Sequence, residues 1–113
     1  MADGENAPSQ HKSSRHKGAL CVVARLEARS GAEEGVQRAL QKLARAVRAE
    51  EIGCTAYNVT RPLGGAAHFV VHARFSDWAA FEAHAETAHM EAALPRISAE
   101  LTAPMSLEIF LEV

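Results

Sequence analysis

Residues 68–89 read HFVVHARFSDWAAFEAHAETAH, and the change of period inside this stretch decides the fold. From His68 to Phe75 the pattern has period two: Phe69, Val71, Ala73 and Phe75 share one face, and His68, Val70, His72 and Arg74 the other. The alternation stops at Ser76-Asp77, both good N-cap residues, and Trp78, Phe81 and Ala85 follow at helical spacing. A strand therefore runs straight into a helix that carries His84, with His89 just beyond it. That arrangement sets imidazoles beside an apolar groove.

Working outward, the residues before this stretch supply three more elements. Leu20, Val22, Ala24 and Leu26 alternate with Cys21, Val23, Arg25 and Glu27 as a half-buried first strand. Ser30 with Glu33 has the spacing of a capping box, and Val36, Leu40, Leu43 and Val47 then form one apolar helical stripe. Arg38, Lys42, Arg45 and Arg48 fall off that stripe. With Glu33, Glu34, Glu50 and Glu51 nearby they read as a solvated face. Gly53 closes the helix region, and a second strand runs from Cys54 to about Arg61 with Thr55, Tyr57 and Val59 on one face. Pro62-Leu63-Gly64-Gly65 predicts a hairpin turn into the third strand.

After Thr87 a further helix carries Met90, Leu94, Ile97 and Leu101, with Pro95 kinking it or marking its first turn. Ala103-Pro104 ends it, and residues 105–113 alternate as a last strand. The predicted order is strand, helix, strand, strand, helix in two pieces, strand. That is the α+β split βαβ, ferredoxin-like pattern: a four-stranded antiparallel sheet with helices on one face. The other face holds Cys21, Val23, Val70 and Phe110 among His68 and His72. It is too apolar to be left in water, which predicts a homodimer.

The 113 residues make one domain, with 48% hydrophobic and 23% charged residues. A net charge of -2 gives no basic footprint for nucleic acid or an anionic membrane surface. No apolar run approaches the roughly 20 residues that span a bilayer, and the first residues lack the apolar core of a signal peptide, so the chain reads as cytoplasmic. Residues 1–17 contain no Val, Ile, Leu or Phe and read as a disordered tail ahead of a domain at 18–113. His11 and His16 belong to that solvated tail. Cys21 and Cys54 sit inside strands as packing thiols without clustered partners at zinc-ligand spacing. His68 and His72 share a face, but four residues of strand span roughly 13 Å, too far to chelate one metal. No metal and no bound cofactor are expected.

Several of these residues carry a resemblance. Gly53, Cys54 and Tyr57, then Phe69, then Asp77, Ala80, Phe81, His84, Thr87 and His89 resemble the loosely spaced pattern of the antibiotic biosynthesis monooxygenase (ABM) domain, a family of the dimeric α/β-barrel superfamily. The likeness covers nearly all of residues 19–113. It implies a dimeric α/β barrel and cofactor-independent oxygenation of electron-rich aromatics such as quinols and polyketide anthrones. The third strand of the family often reads E-x-W, whereas this chain has Ala73-Arg74-Phe75. Haem-degrading relatives use an Asn, a Trp and a helical His, and the matching positions are Ala24, Phe75 and His84 or His89. Two of those three are absent, which disfavours haem degradation.

The expected site follows. His84, or less readily His89, acts as general base on a phenolic proton so that the anion can react with dioxygen. Tyr57 hydrogen-bonds a substrate oxygen, and Phe69, Val71, Phe75, Trp78 and Phe81 line the pocket between the sheet and the later helices. Asn58 falls on the opposite face from Tyr57. Each of these residues also has a purely structural role open to it, as core, cap or dimer contact. Two other classes therefore stay open: a non-catalytic binding module on the same scaffold, and an isomerase using His84 as a proton shuttle.

Overall fold

The computed structural model describes residues 17–113, so the reading of the N-terminal tail, with His11 and His16, lies outside the described residues. Its elements are β1 (Leu20–Glu27), α1 (Glu33–Glu50), β2 (Cys54–Thr60), β3 (His68–Phe75), α2 (Trp78–Ala85), α3 (Ala88–Ser98) and β4 (Ser106–Leu111). The strands form one antiparallel sheet in the order β2-β3-β1-β4, the ferredoxin-like arrangement expected from the element order.

Face parity holds along the central strands. Leu20, Val22, Ala24 and Leu26 of β1 and Phe69, Val71, Ala73 and Phe75 of β3 are all buried, and all but Leu20 join one core cluster with Val36, Leu40, Leu43 and Val47 of α1. The other face carries the charged pairs. Arg74 donates to both carboxylate oxygens of Glu112 at 2.6 and 3.0 Å, Arg25 pairs with Glu108, and His72 lies 3.1 Å from the Thr60 hydroxyl. On β4 the helix side is left uncovered, with Leu107, Ile109 and Leu111 each 40–50% exposed.

Four local expectations are corrected. Thr55 does not share a face with Tyr57, because a register irregularity between Cys54 and Ala56 turns it outward. There its hydroxyl donates to the Arg74 carbonyl at 3.2 Å. Ser30 does not cap α1. Gly31 turns at φ +90°, the helix starts from Ala32, and Glu33 accepts from the Gly31 N–H at 2.9 Å. Pro95 is not in a first turn; it lies in the second half of α3, and its carbonyl accepts from Ala99 at 3.1 Å. Leu101 is buried beyond the helix, where an isolated bridge joins it to Ala28.

The two caps that position the later helices are as the residues predict. The Asp77 carboxylate accepts from the Ala80 N–H at 2.9 Å, and the Thr87 hydroxyl accepts from the Met90 N–H at 3.3 Å. Thr87 also donates to the His84 carbonyl at 3.0 Å, which ties the end of α2 to the start of α3.

Candidate functional site

The site is a mostly apolar cavity of about 180 Å³ between the sheet and the helices. Val71, Ala73 and Phe75 of β3 form its floor, Tyr57 of β2 its side, and Phe81 and His84 of α2 part of its roof. Met90, Leu94 and Ile97 of α3 complete the roof, and Leu107 of β4 stands at the uncovered edge of the sheet. Among the described residues that line it, only Tyr57 and His84 bring a hydroxyl or a ring nitrogen.

His84 is 6% exposed, in a helix whose other turns are held by the Asp77 cap. Its ring packs between Phe75 and Tyr57, with centroids 5.0 and 5.7 Å away. Nδ1 lies 2.8 and 3.0 Å from the two carboxylate oxygens of Glu51. A carboxylate accepts, so Nδ1 carries the hydrogen, and in the neutral ring the lone pair is on Nε2. A base needs that tautomer: one nitrogen anchored, the other available on a side chain that lines the cavity.

Glu51 is the residue of this site that the sequence reading missed. Its side chain is 9% exposed, and a carboxylate so buried needs compensation. Two imidazoles supply it, because Nε2 of His89 lies 2.5 Å from Oε2 of Glu51. The signal was present in α1. Val36, Leu40, Leu43 and Val47 recur at intervals of four, three and four, and the next step of four lands on Glu51. The helix ends there, with the residue at φ −107° and ψ 98°, so its side chain turns inward instead of joining Glu50 in solvent.

The other expected site residues divide. Tyr57, Val71, Phe75 and Phe81 line the cavity with His84. Phe69 is fully buried further along β3, with the Arg61 guanidinium 4.7 Å from its ring centroid, and does not reach the cavity. Trp78 stacks edge-on against Phe81 at 5.6 Å and supports the wall from behind. His89 faces a different space, a surface groove between α1 and α3.

The surroundings perturb two groups near His84. Burial, with smaller contributions from the charges of Cys54 and Glu51, pushes the Tyr57 phenol up to about 12. Burial also raises the Cys54 thiol, partly offset by its bond to the Ala56 carbonyl at 3.3 Å. Both therefore stay protonated at neutral pH, and Tyr57 can donate a hydrogen bond into the cavity. Among the described residues no cluster of three His, Cys, Asp or Glu side chains is placed to hold a metal ion.

The fold is thus a ferredoxin-like domain with an imidazole and a phenol in an apolar cavity. A model of the antibiotic biosynthesis monooxygenase family matches residues 19–96, and the chain belongs to that family. A Caulobacter crescentus protein whose name assigns it to the antibiotic biosynthesis monooxygenases superimposes with a TM-score of 0.83 at 23% identity, over 91% of this chain and 98% of its own. The crystal structure of an antibiotic biosynthesis monooxygenase gives 0.78 at 26% identity over 83% and 98%. Rv0793 from Mycobacterium tuberculosis gives 0.79 at 21% over 85% and 96%. At the lower identities the likeness is one of fold. No curated protein sequence matches this chain. Among the described residues no helix is long and apolar enough to cross a membrane.

Proposed function

We propose that the domain is a cofactor-independent monooxygenase acting on an electron-rich phenol or quinol, with His84 as general base. The observation that carries this reading is the clamp of Nδ1 by Glu51, which leaves Nε2 as the basic nitrogen of a cavity-lining ring. Tyr57 donates to the substrate oxygen, and Phe75 and Phe81 hold its ring.

The chemistry needs little more. Nε2 removes the phenolic proton, and the resulting anion gives up electrons to dioxygen and forms a carbon–oxygen bond. The peroxide anion takes back that proton, and the hydroperoxide then loses water as its O–O bond and the C–H bond on the same ring carbon break, leaving a new carbonyl. One oxygen atom enters the product and the other leaves as water, with all electrons drawn from the substrate.

Cavity size favours the smaller of the substrate classes. A cavity of about 150 Å³ in another protein takes up benzene, and the cavity here is about 180 Å³. It suits a single-ring quinol, and a tricyclic anthrone would have to extend past Leu107 at the open edge. The thin polar lining favours a second reading, a binding module that holds an aromatic molecule without turning it over.

Oxygen uptake with a panel of quinols and anthrones separates the two. Turnover by the wild type, lost in His84→Ala and reduced about a hundredfold or more in Glu51→Gln, supports the oxygenase. Tight binding of a panel member with no oxygen consumed supports the module and removes the base assignment.

The reading includes a homodimer. Its support is apolar surface that a lone domain leaves open: Cys21, Val23 and Val70 on the helix-free face, and Phe110 at 50% exposure beside them. A monomeric mass in sedimentation at micromolar concentration overturns it.

A further inference from the structure

The described residues contain two separate spaces joined by three side chains. The inner cavity is lined by His84, and the groove between α1 and α3, about 510 Å³, is lined by His89 with Lys42, Arg96 and a floor of alanines. Glu51 bridges them, with Oε1 2.8 Å from Nδ1 of His84 and Oε2 2.5 Å from Nε2 of His89. The remaining ring nitrogen of His89, Nδ1, is 3.8 Å from a carboxylate oxygen of Glu50, which stands in solvent. Every link is made by an ionisable group that can both take and give a proton.

We propose that His84, Glu51 and His89 form a proton path through the helix layer, so that the base in the cavity exchanges protons with water through the groove at His89. The inference rests on the reading of His84 as the base. An aromatic occupant fills the cavity and excludes water from Nε2 of His84, so a second way out is needed if the base is to equilibrate while substrate is bound.

The step balances by a one-bond shift of each hydrogen. At rest His84 Nδ1–H donates to Oε1, one hydrogen is shared between Oε2 and Nε2 of His89, and His89 carries Nδ1–H. A proton arriving at Nε2 of His84 moves the Nδ1 hydrogen onto Oε1 and the shared hydrogen onto Nε2 of His89. The Nδ1 hydrogen of His89 then leaves to water. Both hydrogen bonds survive, the one to His84 reversed in direction and the other now donated by Nε2–H of His89, so neither buried group is orphaned in either state. Running the same shift backwards returns a proton to the cavity and resets the path.

The groups around the path fit this use. Tyr57 and Phe75 pack on His84 and offer it no competing acceptor on the ring faces. At the other end Glu50 can receive the outgoing proton, and Lys42 and Arg96 make the groove a poor place for a positive charge to linger. His89 is a positioning and relay residue in this scheme, and it touches no substrate.

The test reads exchange of the His84 ring hydrogen with water by nitrogen-15 magnetic resonance on the full chain, with no ligand and no turnover. His89→Gln keeps a hydrogen-bonding amide near Glu51 but cannot pass a proton, and His89→Phe removes the link altogether. In both, exchange should slow by roughly a hundredfold, the lower end of what a positioned acid–base group contributes to a proton transfer. A merely structural His89 gives the opposite sign, because looser packing speeds exchange. Unchanged or faster exchange in folded His89→Gln overturns the path, whether or not His89→Phe folds. Failure of the oxygenase reading shows in oxygen uptake instead, and leaves the exchange result standing.

Discussion

Raising the pH titrates the phenol that packs against His84. Tyr57 is the one tyrosine in the chain and Trp78 the one tryptophan, so ionisation and unfolding can be followed separately in the same sample. Burial moves the phenol from 10.0 up to about 12. Each unit corresponds to about 1.4 kcal/mol, so the folded state disfavours tyrosinate by about 3 kcal/mol relative to the unfolded chain. The sign follows from a folded value above the unfolded one. The stability is fully present below pH 10 and is lost as the pH climbs from about 10 to about 12. Tyrosinate absorbance should accordingly appear near pH 12, or earlier only together with the loss of native Trp78 fluorescence. Because burial is the largest cause and Glu51 the smallest, Glu51→Gln should leave the midpoint high, whereas Phe75→Ala, which lets water into the cavity wall, should bring it down. A midpoint near 10 in a chain whose tryptophan signal stays native would refute the account of the cavity as a dry site.

Three substitutions test the frame around the site. Gly53→Ala should destabilise the domain by about 1–3 kcal/mol in denaturant unfolding, since an added Cβ would stand 2.5 Å from Cβ of Ala80. Asp77→Ala removes the side-chain acceptor of the Ala80 N–H and should cost about 1 kcal/mol, read in the same way. Phe75→Ala leaves a void beneath His84 and should cost about 3–5 kcal/mol, with the unfolding midpoint in urea moving and the slope unchanged.

The fold was legible because its signals are short-range. The alternation from His68 to Phe75, the break at Asp77 and the turn at Pro62–Gly65 each depend on a few neighbouring residues, and the structure keeps all three. Face parity alone was enough to put Tyr57 on the helix-covered side of the sheet with Phe75. What could not be read is long-range. The irregularity that turns Thr55 outward depends on how β2 pairs with β3. His89 was expected at the cavity rim, but α3 starts at Ala88 after the turn fixed by Thr87, which swings the ring toward α1 and away from the cavity. Glu51 was assigned to a solvated charge cluster because its neighbours Glu50 and Arg48 belong there. Its partners lie 33 and 38 residues further along the chain, beyond any local pattern.

The connection between α1 and β2 therefore does more than link two elements. Within it Glu51 turns inward, Ile52 is left 98% exposed, and Gly53 lets α2 approach until its Ala80 is in contact. The Gly53 carbonyl also accepts from Ser76 at 2.8 Å, which fixes the start of α2 against the start of β2. Ala80 and His84 are four residues apart, one turn along the same helix face. The contact at Gly53 thus sets how close α2 lies, and hence where the His84 ring sits relative to the Glu51 carboxylate two residues back in the chain. Ile52 stays in solvent while the carboxylate beside it goes inside. A chain selected for core stability alone would make the reverse choice, because burying isoleucine gains about 2 kcal/mol while burying a carboxylate needs partners built for it. The two imidazoles are those partners, at 2.8 and 2.5 Å, and the proposed proton chemistry at this corner of the fold rests on them.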